Sequence, residues 1–178
     1  MVGKTHIAGA LALTSAVSLI CVKTNLIQGT DQIILQQATL LTASGIGGLL
    51  PDIDHKGSTI SRSNPVISFF VRLFFTHRGF THSLLSLALI AGLAYFIASI
   101  VGSGIGFWIA IGFGIGYASH ILLDSFNPKG VPLFYPIRHK FSFAGIVTGG
   151  WAEKMVFIIC IVITVLCEMT LLGIRLSF

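Results

Sequence analysis

Charge is what this sequence has least of. Only 10% of its 178 residues are Asp, Glu, Lys or Arg, against roughly 25% in soluble domains. So few charges cannot cover a water-facing surface, and the mean hydropathy of +0.91 instead marks an integral membrane protein. The net charge of +5 does not point to nucleic acid, because the basic residues stand singly between apolar segments. Cysteine is also scarce: Cys21, Cys160 and Cys167 all lie in apolar segments. An odd number in such places reads as small buried side chains rather than disulfides or metal ligands. No P-loop, no GxGxxG after a strand, no serine-nucleophile motif, no repeat and no low-complexity tract is present.

What the sequence does have is long apolar segments, and these predict one domain, residues 1–178, built as an all-α polytopic membrane bundle. About five transmembrane helices are expected, with short interfacial helices between them. The spans are placed at about Ile7–Val22, Ile33–Leu50, Ser83–Val101, Ile105–Leu123 and Met155–Gly173. Lys4 before the first span resembles a signal-peptide n-region, but no cleavage site followed by a soluble domain appears, so a retained helix is expected. Pro65–Phe75 is apolar, too short to span and carries Arg72, as an interfacial helix would. Gly102-Ser103-Gly104 is a turn short enough to force the third and fourth spans into an antiparallel hairpin. Pro128, Pro132 and Pro136 rule out one continuous helix in the loop before the last span.

With five spans, Lys4, Lys56, Arg62, Arg72, Arg78, Lys129, Arg138, Lys140 and Lys154 share one side, and only Lys23 and Arg175 lie on the other. The richer side is expected to be cytoplasmic, which puts the N-terminus in the cytoplasm of a multi-pass inner-membrane protein.

The few polar groups fall on this topology in a pattern. Leu49-Leu50-Pro51-Asp52-Ile53-Asp54-His55 closes the second apolar run with two carboxylates and an imidazole. Pro51 disfavours a continued helix, and in an extended or turn segment Asp52 and Asp54 can point the same way. A polar loop with a capping Asp is the plainer reading of that stretch alone. The other histidines tip the balance. His6, Asp52, Asp54, His55, His77, His82, His120 and Asp124 all fall at the ends of spans on one side of the membrane. Ionisable groups that face a bundle interior are functional candidates, and Asp and His hold divalent metals through oxygen and nitrogen. His120 and Asp124 are four apart, so they share one helix face. Gly112 and Gly116 extend that stripe and admit a close neighbour helix. Gly79 suggests a bend after His77, with Thr81 as N-cap of the third span. Arg78 is placed to clamp a phosphate or to anchor the chain at the membrane. His139, between Arg138 and Lys140, reads as a surface residue, and Glu168 lies far from the cluster. Glu153 is the one remaining acid on the cluster's side, a further candidate base.

Three linked stretches carry a resemblance: Leu50-Pro51-Asp52-Ile53-Asp54-His55, His77-Arg78-Gly79-Phe80-Thr81-His82-Ser83, and His120-Ile121-Leu122-Leu123-Asp124 with Asn127-Pro128 and Gly130-Val131 after it. Together they look like the bacterial YdjM-like inner-membrane family, described as membrane-bound metal-dependent hydrolases. The pattern is also similar to that of zinc-dependent phospholipase C and the related P1-type nucleases. The resemblance implies His6, Asp52, His82, His120 and Asp124 as ligands, with Asp54, His55 and His77 beside them. Those soluble relatives also use a free N-terminal amine and a late His/Glu pair. Here five residues precede His6 and no H-x-x-x-E follows Asp124, so a three-metal site is not expected.

The expectation is a hydrolase of phosphoesters, phospholipids included, holding one or two divalent ions, with zinc the first choice. The metal ligands are drawn from His6, Asp52, His55, His77, His82, His120 and Asp124, and Asp54 and Arg78 are the candidate catalytic groups. Membrane lipids are the expected partners, because Phe126, Phe134, Tyr135, Phe141 and Phe143 alternate with Lys129, Arg138 and Lys140 in one loop. The competing readings are a non-enzymatic metal-binding structural or sensor protein and a metal-ion transporter. A transporter would carry ionisable groups near mid-membrane, and spans one, three and five have almost none at their centres.

Overall fold

The computed structural model describes residues 1–24, 33–74, 79–102 and 104–173. Seven α-helices occur among them: α1 (Gly3–Lys23), α2 (Ile33–Gly47), α3 (Thr59–Ser63), α4 (Pro65–Phe74), α5 (Leu84–Val101), α6 (Gly104–Ser125) and α7 (Trp151–Leu171). The described residues contain no strand, only one antiparallel bridge between Val131 and Phe141. The chain is therefore the all-helical bundle its hydropathy called for.

Four helices, α1, α5, α6 and α7, are long and apolar enough to cross a membrane. The second expected span is shorter: α2 has 15 residues, about 22 Å of helix against a hydrocarbon core of about 30 Å. It nevertheless runs back along α1. Gly48, just past its end, lies so close to the start of α1 that an added Cβ would stand 2.9 Å from Ala10 Cβ and 3.1 Å from the His6 carbonyl.

Small residues decide which helices touch. A Cβ on Gly116 would sit 2.0 Å from the Ser44 carbonyl, and one on Gly112 would sit 2.6 Å from the Leu40 carbonyl. α2 and α6 thus meet backbone to backbone along the glycine stripe. The outer faces are apolar, as lipid requires: Leu89, Leu93 and Phe96 on α5 and Ile158, Ile159 and Val162 on α7 are all exposed.

α4 is turned the opposite way from a soluble helix. Val66, Ile67, Phe69, Phe70 and Leu73 face outward. Ser68 is buried and donates to the Ile53 carbonyl at 2.6 Å, while Arg72 Nη1 reaches the Ser61 hydroxyl at 3.0 Å. An apolar outer face with a polar inner one is what an interfacial helix shows when its outside is lipid.

The ends of the spans are fixed locally. Ser83, not Thr81, caps α5, its hydroxyl accepting from the Ser86 amide at 3.2 Å. Gly102 ends α5 at a φ of 68°, a left-handed conformation that favours glycine. The loop between α6 and α7 folds over the same end of the bundle. It is tied by the Val131–Phe141 amide–carbonyl pair at 3.0 and 2.9 Å, by Leu84 N donating to Leu133 O at 2.9 Å, and by Asn127 Nδ2 donating to Thr148 at 2.8 Å. Beneath it Tyr117, Ile121 and Val131 form a buried core against Leu50, Leu87, Ile90 and Leu133. Cys21, Cys160 and Cys167 are unpaired and half-buried.

Candidate metal centre

The start of α1, the end of α2, the turn before α5 and the end of α6 all reach one level of the bundle. There they bring together His6, Asp52, His82, His120 and Asp124. Among the described residues, two groups of three have donor atoms within 4.8 Å of one another: His6, His120 and Asp124, and Asp52, His82 and His120. His120 belongs to both. In the second group His82 Nε2 and His120 Nε2 are 3.3 Å apart, and each lies 3.7 Å from Asp52 Oδ1. In the first, His6 Nε2 is 3.3 Å and His120 Nε2 4.0 Å from Asp124 Oδ1 and Oδ2 respectively. The edge of a tetrahedron with zinc–ligand bonds of about 2.0–2.1 Å is about 3.3 Å long; the closest pair in each group matches it, and the remaining spacings of 3.7–4.0 Å are longer. His82, His120 and His6 are fully buried.

Neighbouring groups set which nitrogen each ring offers. His120 Nδ1 donates to the Gly48 carbonyl at 2.7 Å. His82 Nδ1 meets the Thr81 hydroxyl at 2.9 Å, and that hydroxyl donates in turn to Asp54 Oδ2. Each ring, when neutral, thus carries its proton on Nδ1 and turns the lone pair of Nε2 inward. Two lone pairs facing each other at 3.3 Å repel unless positive charge lies between them. His6 gives a similar signal: it is fully buried, its Nδ1 has no hydrogen-bond partner, and its Nε2 faces only the Asp124 carboxylate, at 3.3 Å and out of line for a hydrogen bond. Leaving a buried polar atom unsatisfied costs about 1–3 kcal/mol, which a cation taking the lone pair removes. Nitrogen and carboxylate donors in this proportion suit zinc or a similar divalent ion.

Asp52 is the one donor with partial access to the outside, its side chain 14% exposed. Burial by itself would raise its carboxyl pKa. The hydrogen bond with His82 and the charges of His120, His6 and His82 together outweigh that and hold it well below the usual carboxylate range.

The other candidates are placed differently. Asp52 and Asp54 do not point the same way, because residues Leu50–Asp54 form a 3-10 turn. At three residues per turn, positions two apart diverge by about 120°. They flank His82 instead, Asp52 at Nε2 (3.7 Å) and Asp54 at Nδ1 (3.8 Å). Asp54, read from the sequence as a catalytic group, is 3% exposed and stands as a positioning residue behind His82. His55 is exposed and belongs to neither metal group. It lines a cavity of about 270 Å3 with Met1, Gly3, Asp52, Ser58 and Thr148. His77 and Arg78 lie outside the described residues. His139 is exposed and packs edge-on against Phe141.

Two groups stand differently from their sequence reading: the N-terminal amine, discounted because five residues precede His6, and Glu153, read as a candidate base. The amino group of Met1 folds back to donate to Asp124 Oδ1 at 2.5 Å. Glu153 is 2% exposed and accepts from the Val2 amide at 2.6 Å and the Gly149 amide at 2.5 Å. It acts as a clamp on the start of the chain rather than as a base beside the cluster. An acid in the first turn of α7 was its only hint.

The sequence model of the YdjM inner membrane protein family matches residues 1–176. This chain belongs to that family. The uncharacterized protein YvsG of Bacillus subtilis (strain 168) is 36% identical to this chain over 159 residues, 88% of this chain and 87% of its own length. The inner membrane protein YdjM of Escherichia coli (strain K12) and its Shigella flexneri namesake are each 44% identical over 97 residues. Those matches cover 52% of this chain and 47% of the relatives, so the similarity spans about half of each. No solved structure matches the chain. Membership in the YdjM family and the apolar helices together make this a multi-pass inner-membrane protein.

Proposed function

We propose that this chain is a metal-dependent hydrolase of phosphoesters, phospholipids among them, acting at the cytoplasmic membrane face. The observation that carries the reading is the joining of five donors to a cavity of mixed polar and apolar lining through Asp52. A divalent ion, when bound, supplies a polarising charge for a phosphoryl oxygen and lowers the pKa of a water molecule. The chain's own residues do the rest. His82 and His120 present Nε2 in a fixed orientation because Thr81, Asp54 and the Gly48 carbonyl hold their other edges. Asp52 reaches from the cluster into the cavity, and His55 lines that cavity beside it. Imidazole is the side chain most used to move protons, and His55 is assigned to give one to the leaving oxygen. Arg78 is assigned to the phosphate, as a planar fork of donors suited to that anion. α4 and the loop carrying Phe134, Ile137 and Phe143 put exposed apolar side chains around a centre at headgroup level.

The assay is phosphate or headgroup release from glycerophospholipids and soluble phosphodiesters after chelation and metal add-back. Turnover should return with metal, and Asp52→Ala should abolish it. A purely structural metal is the second reading, favoured by the complete burial of the three histidines. Firmly bound metal, an intact fold and no metal-restorable turnover across the panel would establish that reading instead.

Orientation belongs to the same proposal. With α2 counted as a crossing, the nine-to-two asymmetry in basic residues supports a cluster that meets the cytoplasm. A reporter fused after Phe178 should then read periplasmic and one inserted near Lys140 cytoplasmic. Both reading on one side would refute an odd number of crossings.

A further inference from the structure

The inner face of α4 carries a cation that the metal cluster does not use. Ser68 and Arg72 lie four residues apart, so they share one side of the helix. Arg72 Nη1 donates to the Ser61 hydroxyl at 3.0 Å and to the hydroxyl of Ser68. Those two hydroxyls meet at 2.5 Å, and both serines are buried. A long basic side chain at a membrane surface ordinarily stretches outward to water. Here the guanidinium is half-buried and turns its Nη1 inward instead. Among the described residues it makes no ion pair, and its Nε and Nη2 meet no acceptor. Nε and Nη2 together form a side-on fork that matches two oxygens of a phosphate.

The surroundings supply that anion. Val66, Ile67, Phe69, Phe70 and Leu73 are each more than half exposed and give α4 an outer face for lipid. A helix lying in the interface holds its polar edge among the headgroups, where basic side chains meet anionic lipid. The exposed charges on the segment leading into α4, Lys56 and Arg62, are both positive. Of the acids at this end of the bundle, Asp54, Asp124 and Glu153 are buried and Asp52 is turned to the cluster. None of them opposes an anion beside α4.

The same serines join the guanidinium to the metal centre. Ser68 donates to the Ile53 carbonyl, between Asp52 and Asp54, at 2.6 Å. The Ser58 hydroxyl accepts from the Ser61 amide at 3.2 Å and donates to the Asp52 carbonyl at 2.6 Å. Whatever fixes Arg72 therefore also fixes the backbone that presents Asp52.

We propose that Arg72 is a phospholipid site: its Nε–Nη2 edge holds one headgroup phosphate beside α4, and Ser68 and Ser61 carry that restraint to the turn bearing Asp52. The site stands apart from the hydrolase reading, since it requires no turnover.

The test uses the full chain purified in a phosphate-free maltoside detergent. To it is added phosphatidylglycerol, a galactolipid with the same acyl chains, or inorganic phosphate. Native mass spectrometry reads retained lipid, and chelator competition reads zinc affinity. Wild type should retain phosphatidylglycerol that Arg72→Gln does not. Arg72→Lys keeps the charge but not the fork and should retain it more weakly; this variant decides should Arg72→Gln fold poorly. Lipid retention decides the site even in a chain stripped of metal. Bound phosphatidylglycerol should raise zinc affinity about tenfold, as groups supporting metal ligands do. Ser68→Ala should keep the lipid and lose that gain. Equal retention in wild type and both Arg72 variants would overturn the proposal. Equal retention of the galactolipid would do the same, leaving only an apolar contact. The full zinc gain with inorganic phosphate alone would replace the lipid site with a free-anion site. A gain that persists in Ser68→Ala would refute the link to Asp52.

Discussion

Replacing His120 with alanine should strip the protein of its metal. The wild-type chain, purified in detergent, should hold about one ion, as a four-coordinate site does. His120 is the only residue common to both donor groups, so its loss leaves two ligands on either side and content should fall to near zero. Metal analysis of His120→Ala beside wild type and His139→Ala checks this. His139 is an exposed imidazole packed only on a loop phenylalanine, so His139→Ala should keep its metal. Equal loss in both variants would mean that content follows folding and not ligation. Asp54→Asn separates ligand from support. It keeps the shape of the side chain but weakens the hold on Thr81 and His82, so affinity should drop about 10–100-fold without disappearing.

The second large effect lies outside the cluster. Gly116→Ala should destabilise the whole bundle, because its Cβ would stand 2.0 Å from the Ser44 carbonyl and 2.8 Å from the Gly48 amide. Backbone cannot swing aside as a side-chain end can, so α2 must move. Overpacking of this kind costs about 1–3 kcal/mol or more, an apparent melting temperature lower by several degrees. The movement also draws the Gly48 carbonyl away from His120 Nδ1, so metal affinity should fall with stability. Gly92→Ala is the control, since a Cβ there meets nothing within 4 Å. Thermal unfolding that drops equally in both variants would show that helix propensity or handling, not the close approach, is responsible.

Much of this fold was legible because lipid makes hydropathy a direct readout of topology. Once the spans were placed, His6, Asp52, His82, His120 and Asp124 had to share one level, and their convergence followed from span ends alone. The glycine stripe Gly112–Gly116 was legible for a similar reason: on a helix, steps of four stay on one face. What sequence could not supply was direction within the turns. A Pro-containing stretch can be extended or 3-10, and the choice sends Asp54 to the back of His82 instead of to its front. Thr81 looked like a cap by its position, but the chain makes one more turn before α5 begins and Ser83 takes that role. The Gly48 carbonyl was invisible as a partner of His120, since a main-chain acceptor leaves no mark on residue type. The short α2 marks another limit: it has 15 residues, Ile33–Gly47, and residues 25–32 before it lie outside the described part.

One consequence follows from how His120 is held. An imidazole has two nitrogens, and the Gly48 carbonyl takes the hydrogen on one of them. Only Nε2 remains, with a single lone pair, yet both donor groups draw on it. The two groups are therefore rival claimants to one electron pair rather than two independent binding pockets. An ion committed to Asp52 and His82 deprives the His6–Asp124 pair of its third donor, and the reverse holds as well. Filling the cluster would then be a matter of competition inside one chain, and an ion that prefers oxygen would be drawn to different atoms from one that prefers nitrogen.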